Sequence, residues 1–458
     1  MPMLDKMQMR RRKVLIAIAS SIVVIGISGC GGRPSHSTAF PAAVDQGAAA
    51  VADARAKQDA QIKFLEDRAA GDPLDVFSLN GLAVDHLQRA RETGDVAELS
   101  RAEDVLQRSL KVRLKDNYEG IILLANVANT KHDFAKGLAL AQAAIPQKPK
   151  EAYGYGVLGD SYMGLGRYAD AADAYDKTIN LSADLTAFGR RALLFQARGD
   201  LDDAEQSWQE AIKRADGDGT PEHSAWANAQ IANFYFSTGR IDDARSHYEQ
   251  SLAIFPGYVH ALAGIGRVAA ADGDMPRAID YYTRAINTVP LPEYVIALGD
   301  VYAAAGDAKN AQAQYDLVGA IEQLYAANGV NLDLQIGLFN ADHDRNVPAT
   351  VDRAKAAYVQ QSSIQAADAL AWVQYKAGNI SEARTAIEAA LRVGTRDPLI
   401  AFHAASILRA SGDEQNARMY LEHVVDHTPH FSVLYEGAAK AMLDELNVHA
   451  ASDASVVR

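Results

Sequence analysis

Small and apolar residues return along this chain at a nearly fixed interval. Gly-Asp or Gly-Arg, three residues and then alanine recur at Gly166-Arg167…Ala171, Gly199-Asp200…Ala204, Gly239-Arg240…Ala244, Gly273-Asp274…Ala278, Gly306-Asp307…Ala311 and Gly412-Asp413…Ala417. Gly378-Asn379…Ala383 is the same unit, and Ala102, Gly137 and Ala349 mark weaker copies. The ten markers stand 35, 34, 33, 40, 34, 33, 38, 34 and 34 residues apart. Apolar residues before each glycine follow a helical period, as in Tyr155-x-x-Leu158-Gly159-x-x-Tyr162 and Leu298-Gly299-x-x-Tyr302. No period of two, the mark of a strand, appears anywhere after the first 29 residues. The pattern predicts about ten pairs of helices, each pair turning at a glycine that tolerates positive φ.

A period near 34 is the tetratricopeptide spacing. The unit Tyr155-x-x-Leu158-Gly159-x-x-Tyr162, with Ala171 and Tyr175, resembles that family's W-x2-L-G-x2-Y…A-x3-F pattern, as does Leu298-Gly299-x-x-Tyr302 with Ala311 and Tyr315. Pro149, Pro256, Pro290 and Pro429 fall at the family's closing proline. Small residues at the Gly159 and Ala171 positions let paired helices approach, aromatics fill the groove between them, and proline stops the second helix. The resemblance implies an all-α, right-handed superhelical solenoid, because no single pair can bury its apolar face alone. It covers roughly residues 73 to 445.

Two steps are irregular. The 40-residue step holds Asp216-Gly217-Asp218-Gly219-Thr220-Pro221, which reads as a turn-rich insertion, and the 38-residue step holds Ala320 to Asn331, which reads as a lengthened helix. The expected organisation is a leader over 1–29, a flexible tether over 30–50, a capping helix over 51–72, the repeat array over 73–430, and a closing helix and tail over 431–458.

The N-terminus breaks the pattern. Arg10-Arg11-Arg12-Lys13 precedes the fourteen uncharged, mostly apolar residues Val14 to Ile27, and then come Ser28, Gly29 and Cys30. A basic patch, a short apolar run and small residues describe a secretory signal peptide. Fourteen helical residues reach about 21 Å, short of the ~30 Å hydrocarbon core. Ile27-Ser28-Gly29-Cys30 resembles the bacterial lipobox, which implies cleavage before Cys30 and acyl chains on that residue, an anchor of two or three chains. Arg11-Arg12 loosely resembles a twin-arginine export signal. Gly31, rather than an acid, after the cysteine implies by the same resemblance an outer-membrane lipoprotein facing the periplasm in a diderm cell. In other cells the outer face of the cytoplasmic membrane is expected.

Composition narrows the chemistry. Asp and Glu number 58 against 45 Lys and Arg, for a net charge of −13. The first 29 residues carry +4, so the remainder stands near −17. Such a chain repels phosphate backbones, which argues against a nucleic-acid partner. One cysteine excludes an intrachain disulfide and a CxxC metal site.

Motifs with chemical meaning carry bland readings beside them. Gly154-Tyr155-Gly156-Val157-Leu158-Gly159 fits GxGxxG and Gly264-Ile265-Gly266-Arg267-Val268-Ala269 fits GxGxxA, yet both fall inside a first repeat helix instead of after a strand. His423 and His427 share a helix face with Glu422 and Asp426 nearby, a spacing zinc could use, but there is no HExxH and a solvated face explains them. Asp342-His343-Asp344 falls at the hinge of the degenerate repeat, where such residues cap helices. No G-x-S-x-G elbow is present. The expectation is a non-enzyme with no cofactor and no metal. A metal-dependent enzyme built on His423 and His427 is the remotest alternative.

In this family the first helix of each pair lines the concave face. Six residues before each hinge stand Asn126, Asp160, Leu193, Asn233, Arg267, Asp300, Leu338, Trp372 and Ser406. Tyr153 and Trp226 fall thirteen before, and Phe236 three before. Tyr153, Asp160, Trp226, Asn233, Phe236, Arg267, Asp300 and Trp372 are the candidate partner-binding residues, and Cys30 the candidate lipid site. Aromatics among polar neighbours suit an extended peptide or helix. For Trp226 and Trp372, packing between repeats is the equal alternative. The lysines of the family's carboxylate clamp are missing beside Asn126 and Asn233. The expected function is a lipid-anchored scaffold that binds a protein in its groove. The alternative is an accessory lipoprotein of a pilus or secretion assembly, similar to the tight-adherence lipoproteins and pilotins.

Overall fold

The computed structural model describes residues 43–456. The leader, the lipobox and Cys30 lie outside the described residues. Within them are twenty-two α-helices and no strand. After Ala43–Gly71 come five pairs: Val76–Thr93 with Ala97–Val112, Tyr118–Thr130 with Phe134–Ala144, Ala152–Gly164 with Tyr168–Leu181, Leu185–Arg198 with Leu201–Asp218, and Pro221–Ser237 with Ile241–Ile254. Five more follow: Val259–Ala271 with Met275–Thr288, Pro292–Ala304 with Ala308–Ala327, Asp333–Asp342 with Val347–Gln360, Ile364–Lys376 with Ile380–Leu391, and Pro398–Ala410 with Glu414–His427. Glu436–Val456 closes the series, and each helix packs on its successor except Ala308–Ala327, beyond which Asp333–Asp342 packs on the two helices that follow it. The fold is an all-α helical solenoid.

The hinge dipeptide explains most of the turns. Gly273, Gly306 and Gly412 take φ of 77°, 80° and 84°, which an L side chain resists. The aspartate that follows then caps the next helix: Asp274 accepts from the Arg277 amide, Asp307 from Asn310 and Asp413 from Asn416. Where arginine replaces that aspartate, Arg167 and Arg240 instead pair with Asp170 and Asp243 in the first turn of the helix they open.

Glycines inside the first helices serve packing. A methyl at Gly159 would run into the Tyr175 ring, at Gly264 into Tyr248, and at Gly299 into Tyr315. Tyr175, Tyr248 and Trp208 are among the largest fully buried side chains, and each such burial is worth roughly 1.5–3 kcal/mol. The fingerprint-like glycines follow the same rule: Gly154 faces the Tyr118 hydroxyl, Gly156 the Arg190 guanidinium and Gly266 the Tyr282 ring. They sit inside helices, with no strand before them.

Several boundaries differ from the sequence expectation. Residues 43–50, expected in the tether, are helical, because Ala43, Ala48, Ala49 and Ala50 are strong helix formers. The insertion at 216–221 is not a loop. Its first half extends the helix Leu201–Asp218, and Gly219 stops it at φ 73°. Ala320 to Asn331 does lengthen a helix, Ala308–Ala327. In the degenerate repeat Ala349 is exposed, and Thr350, 4% exposed, takes the interior place. The closing helix starts at Glu436 instead of Phe431, which is buried.

The array does not stay open. Its second superhelical turn lies on the first. The Ile364 amide donates to Tyr168 Oη at 2.8 Å across 196 residues, and His132 Nδ1 meets the Asn331 carbonyl at 2.6 Å across 199. Asn331 also donates to the Lys131 carbonyl, and Ser100 Oγ to the Asn328 carbonyl. Farther along, Arg392 Nη2 donates to the carbonyls of Ser362 and Gly166 at 2.6 and 3.3 Å. One turn thus takes about six repeats of the 34-residue period. Met163, Tyr168 and Leu194 share one hydrophobic cluster with Ile364, Trp372 and Leu399, so apolar burial reinforces the seam.

Candidate functional site

The trough expected along the inner wall is enclosed where the turns meet. What remains there is a cavity of about 250 Å³. The first turn contributes the C-terminal halves of inner helices, through Asn126, Asp160, Met163, Leu193 and Gln196. The second turn contributes Gln335, Ser363, Asp368, Asp397 and Leu399, from the first halves or starts of its inner helices, and Leu338 from just past the middle of Asp333–Asp342. Four residues of the six-before-hinge column therefore converge: Asn126, Asp160, Leu193 and Leu338.

Two wall aspartates are committed to the fold. Arg190 grips Asp160 through Nε at 2.9 and 3.1 Å and through Nη2 at 3.0 Å, and the Tyr175 hydroxyl donates to it at 3.0 Å. Arg190 and Asp160 are 4% and 2% exposed, and this buried pairing holds the guanidinium pKa above its usual value against the cost of burial. Asp368 meets His403 Nδ1 at 2.9 Å. A third wall carboxyl, Asp397, caps Pro398–Ala410 by accepting from the Leu399 and Ile400 amides. Burial still pushes its pKa up to about 6. His132, lining the same cavity, is pushed down by burial. Gln335 Oε1 is buried without a hydrogen-bond partner among the described residues, so the wall presents an unused acceptor beside Leu193 and Leu338. An apolar floor with a few convergent polar groups is the arrangement of a ligand pocket.

Of the eight residues expected on the concave face, Asp160 alone lines this cavity. Asn233, Phe236 and Arg267 are brought together elsewhere: Tyr248 donates to Asn233 Oδ1 at 2.6 Å, Arg267 Nη2 stands 3.3 Å from the same oxygen, and its guanidinium lies 4.0 Å over the Phe236 ring. Tyr153 is half-buried, with a hydroxyl that has no hydrogen-bond partner among the described residues and a pKa raised by burial. Trp226 is half-buried and packs edge-on to Trp208, with ring centroids 5.9 Å apart, and over Gly189.

Asp300 and Trp372 are interior. The Tyr315 hydroxyl donates to Asp300 at 2.9 Å, and His343 Nε2 lies 2.8 Å from it. Burial works against a charged His343, yet Asp300 holds its pKa above the usual value. Trp372 is 3% exposed, stacks on His403 at 4.0 Å and donates from Nε1 to Asp342, which also accepts from Tyr435. Trp372 thus packs between repeats and offers no face to a partner. His343 is the C-cap of Asp333–Asp342, its Nδ1 2.8 Å from the Phe339 carbonyl, and with Asp342 it also knits the last repeats together in a buried polar network that the sequence reading missed.

His423 and His427 lie with ring centroids 5.2 Å apart, and among the described residues no group of three or more His, Cys, Asp or Glu is placed to hold a metal. No described helix is long and apolar enough to cross a membrane.

The seam residues were the other omission, and one of them left a signal. His132 stands where most repeats have glycine and adopts φ 63°. A histidine accepting that strain does so where its ring makes a bond that glycine could not, here to Asn331.

Ten helix pairs, eight of them turning at positive-φ glycines, with small residues packed against aromatics define a class, the helical-repeat solenoid. Two tetratricopeptide repeat families match the chain by their models, one over residues 182–257 and 225–289, the other over 122–185 and 369–429. The chain carries tetratricopeptide repeats. Among curated proteins, no relative matches it. Among solved structures it is similar to a tetratricopeptide repeat protein from Parabacteroides merdae, with 15% identity, a TM-score of 0.39, and 54% of this chain and 99% of that one covered. It is also similar to the human IFIT1 dimer with m7Gppp-AAAA (14%, 0.46, 82% and 88%) and to PilW, a type IV pilus biogenesis factor (16%, 0.37, 45% and 94%). At these identities no function passes from those proteins to this chain.

Proposed function

We propose that this protein is a lipid-anchored, non-enzymatic scaffold of the cell envelope that holds another protein by a short segment inserted at the central cavity. The observation that carries the reading is the convergence of inner helices from both superhelical turns on one apolar-floored cavity with an unused acceptor at Gln335. Tetratricopeptide repeats are protein-interaction scaffolds as a class, and enclosure favours a terminus or a few side chains over a long helix laid in a trough. The lipobox-like Ile27-Ser28-Gly29-Cys30 supports the anchor, in the outer membrane of a diderm cell or on the outer face of the cytoplasmic membrane otherwise.

The test is affinity capture of the full chain from its own envelope, followed by mass spectrometry. Leu193→Trp with Leu338→Trp fills the cavity and should abolish capture while circular dichroism stays helical. Undiminished capture would move the binding surface elsewhere. Pilus or secretion components among the captured proteins would specify the accessory role. Cys30→Ser should release the protein from membranes, and unchanged fractionation would remove the lipid anchor.

A further inference from the structure

The first repeat carries a surface that neither the cavity nor the seam uses. Leu74, Phe77 and Leu114 are 69%, 75% and 65% exposed, and Val112 is 37% exposed. They belong to one edge of the solenoid. Ser109 Oγ donates to Asn80 Oδ1 at 2.6 Å, Asn80 Nδ2 to Asn117 Oδ1 at 2.8 Å, and Asn117 Nδ2 to the Arg113 carbonyl at 3.0 Å. That buried node ties the start of Val76–Thr93 to the end of Ala97–Val112. Phe77 lies one turn before Asn80 and Val112 one turn after Ser109, so the apolar side chains surround the node's outer end.

Bases alternate with them: Lys111-Val112-Arg113-Leu114-Lys115 is exposed throughout. None of the three bases is in an ion pair among the described residues. The exposed acids on the same two connections are Asp72 and Asp116, while Asp75 is taken by Arg68. A locally positive, apolar edge stands out on a chain of net charge −13.

We propose that this edge docks on a lipid bilayer bearing anionic headgroups. Large apolar side chains that project between lysine and arginine suit an interface with acyl chains beneath and negative charge around them. No residue lining either described cavity belongs to this edge, which favours a bilayer over a peptide laid in a groove. Ala43–Gly71 packs antiparallel to Val76–Thr93, with Gln58 and Asp59 beside Arg89 near the latter's far end. Its 29 residues span about 44 Å. The edge itself needs no lipid, so it can be tested apart from Cys30.

The chain from residue 43 onward, which retains every described helix, is mixed with phosphatidylglycerol or phosphatidylcholine vesicles and floated on a density gradient. Binding to phosphatidylglycerol alone is expected, weakening as salt rises. Lys111→Glu with Arg113→Glu and Lys115→Glu should lower the partition about a hundredfold. Leu74→Ser with Phe77→Ser and Leu114→Ser should reduce flotation to background, with unchanged thermal unfolding because these side chains are exposed. Equal flotation on both lipids, no flotation on either, or full binding by both variants would overturn the proposal. So would loss of captured protein in the two variants without vesicle binding by the parent chain, which would make the edge a protein-docking site.

Discussion

Gly239 and Gly306 occupy the same place in the repeat, with φ of 79° and 80°. A methyl group at Gly239 would overlap the backbone carbonyl of His427, which belongs to the next superhelical turn. At Gly306 the same methyl meets nothing within 4 Å. Gly166 and Gly199 behave like Gly239, against the carbonyls of Ser362 and Gly394, whereas Gly378 and Gly412 behave like Gly306. The two groups share a backbone requirement. They differ in a steric one, imposed by residues nearly two hundred positions away. A recurring motif thus does two jobs, and closure of the superhelix selects which copies carry the second.

Substitution at the hinges tests this contrast most directly. Gly239→Ala should cost about 2–4 kcal/mol, combining left-handed strain with displacement of the second turn. Its melting temperature should fall and its radius of gyration rise in small-angle scattering. Tyr168→Phe deletes the acceptor of the buried Ile364 amide and should cost about 1–3 kcal/mol, read as earlier urea unfolding. Gly306→Ala carries the backbone strain alone, about 1 kcal/mol, and should leave the scattering curve unchanged. Equal losses at Gly239 and Gly306 would mean that the turns do not touch in solution.

The smallest effect is a matter of pH. Glu293 lies two residues from Leu291, which packs near Gly94 across the seam, and burial pushes its pKa up to about 7 from an ordinary 4.5. An acid whose folded pKa is raised binds its proton more tightly when folded. Its stabilising contribution is therefore full below pH 4.5, declines as pH rises to 7 and is flat above that. Glu293→Gln should raise the melting temperature at pH 8 and change it little at pH 4.5, by no more than about 1 kcal/mol for a half-buried group. A pH-independent effect would place the carboxylate in solvent.

The repeat count, the hinges, the closing prolines and the small-against-aromatic packing were legible because each involves residues within one period of each other. Gly159 and Tyr175 are sixteen positions apart, and the motif contains both. The candidate site was legible only in its ingredients. The six-before-hinge column contained Asn126, Asp160, Leu193 and Leu338, but gave no reason to prefer them over Asp300 or Trp372, which the last repeats bury. Column position reports which way a side chain leaves its helix. It does not report what another turn places in front of it.

That boundary has a physical cause. Helix formation, hinge conformation and the packing of one pair on the next are near-neighbour interactions, repeated ten times and written in the sequence as a period. Whether the second turn rests on the first depends on the sum of small rotations over about six repeats, to which the lengthened helices Leu201–Asp218 and Ala308–Ala327 both contribute. No local motif encodes that sum. The tertiary structure alone decided that Tyr168 meets Ile364, that His132 meets Asn331, and that the trough between them became a cavity.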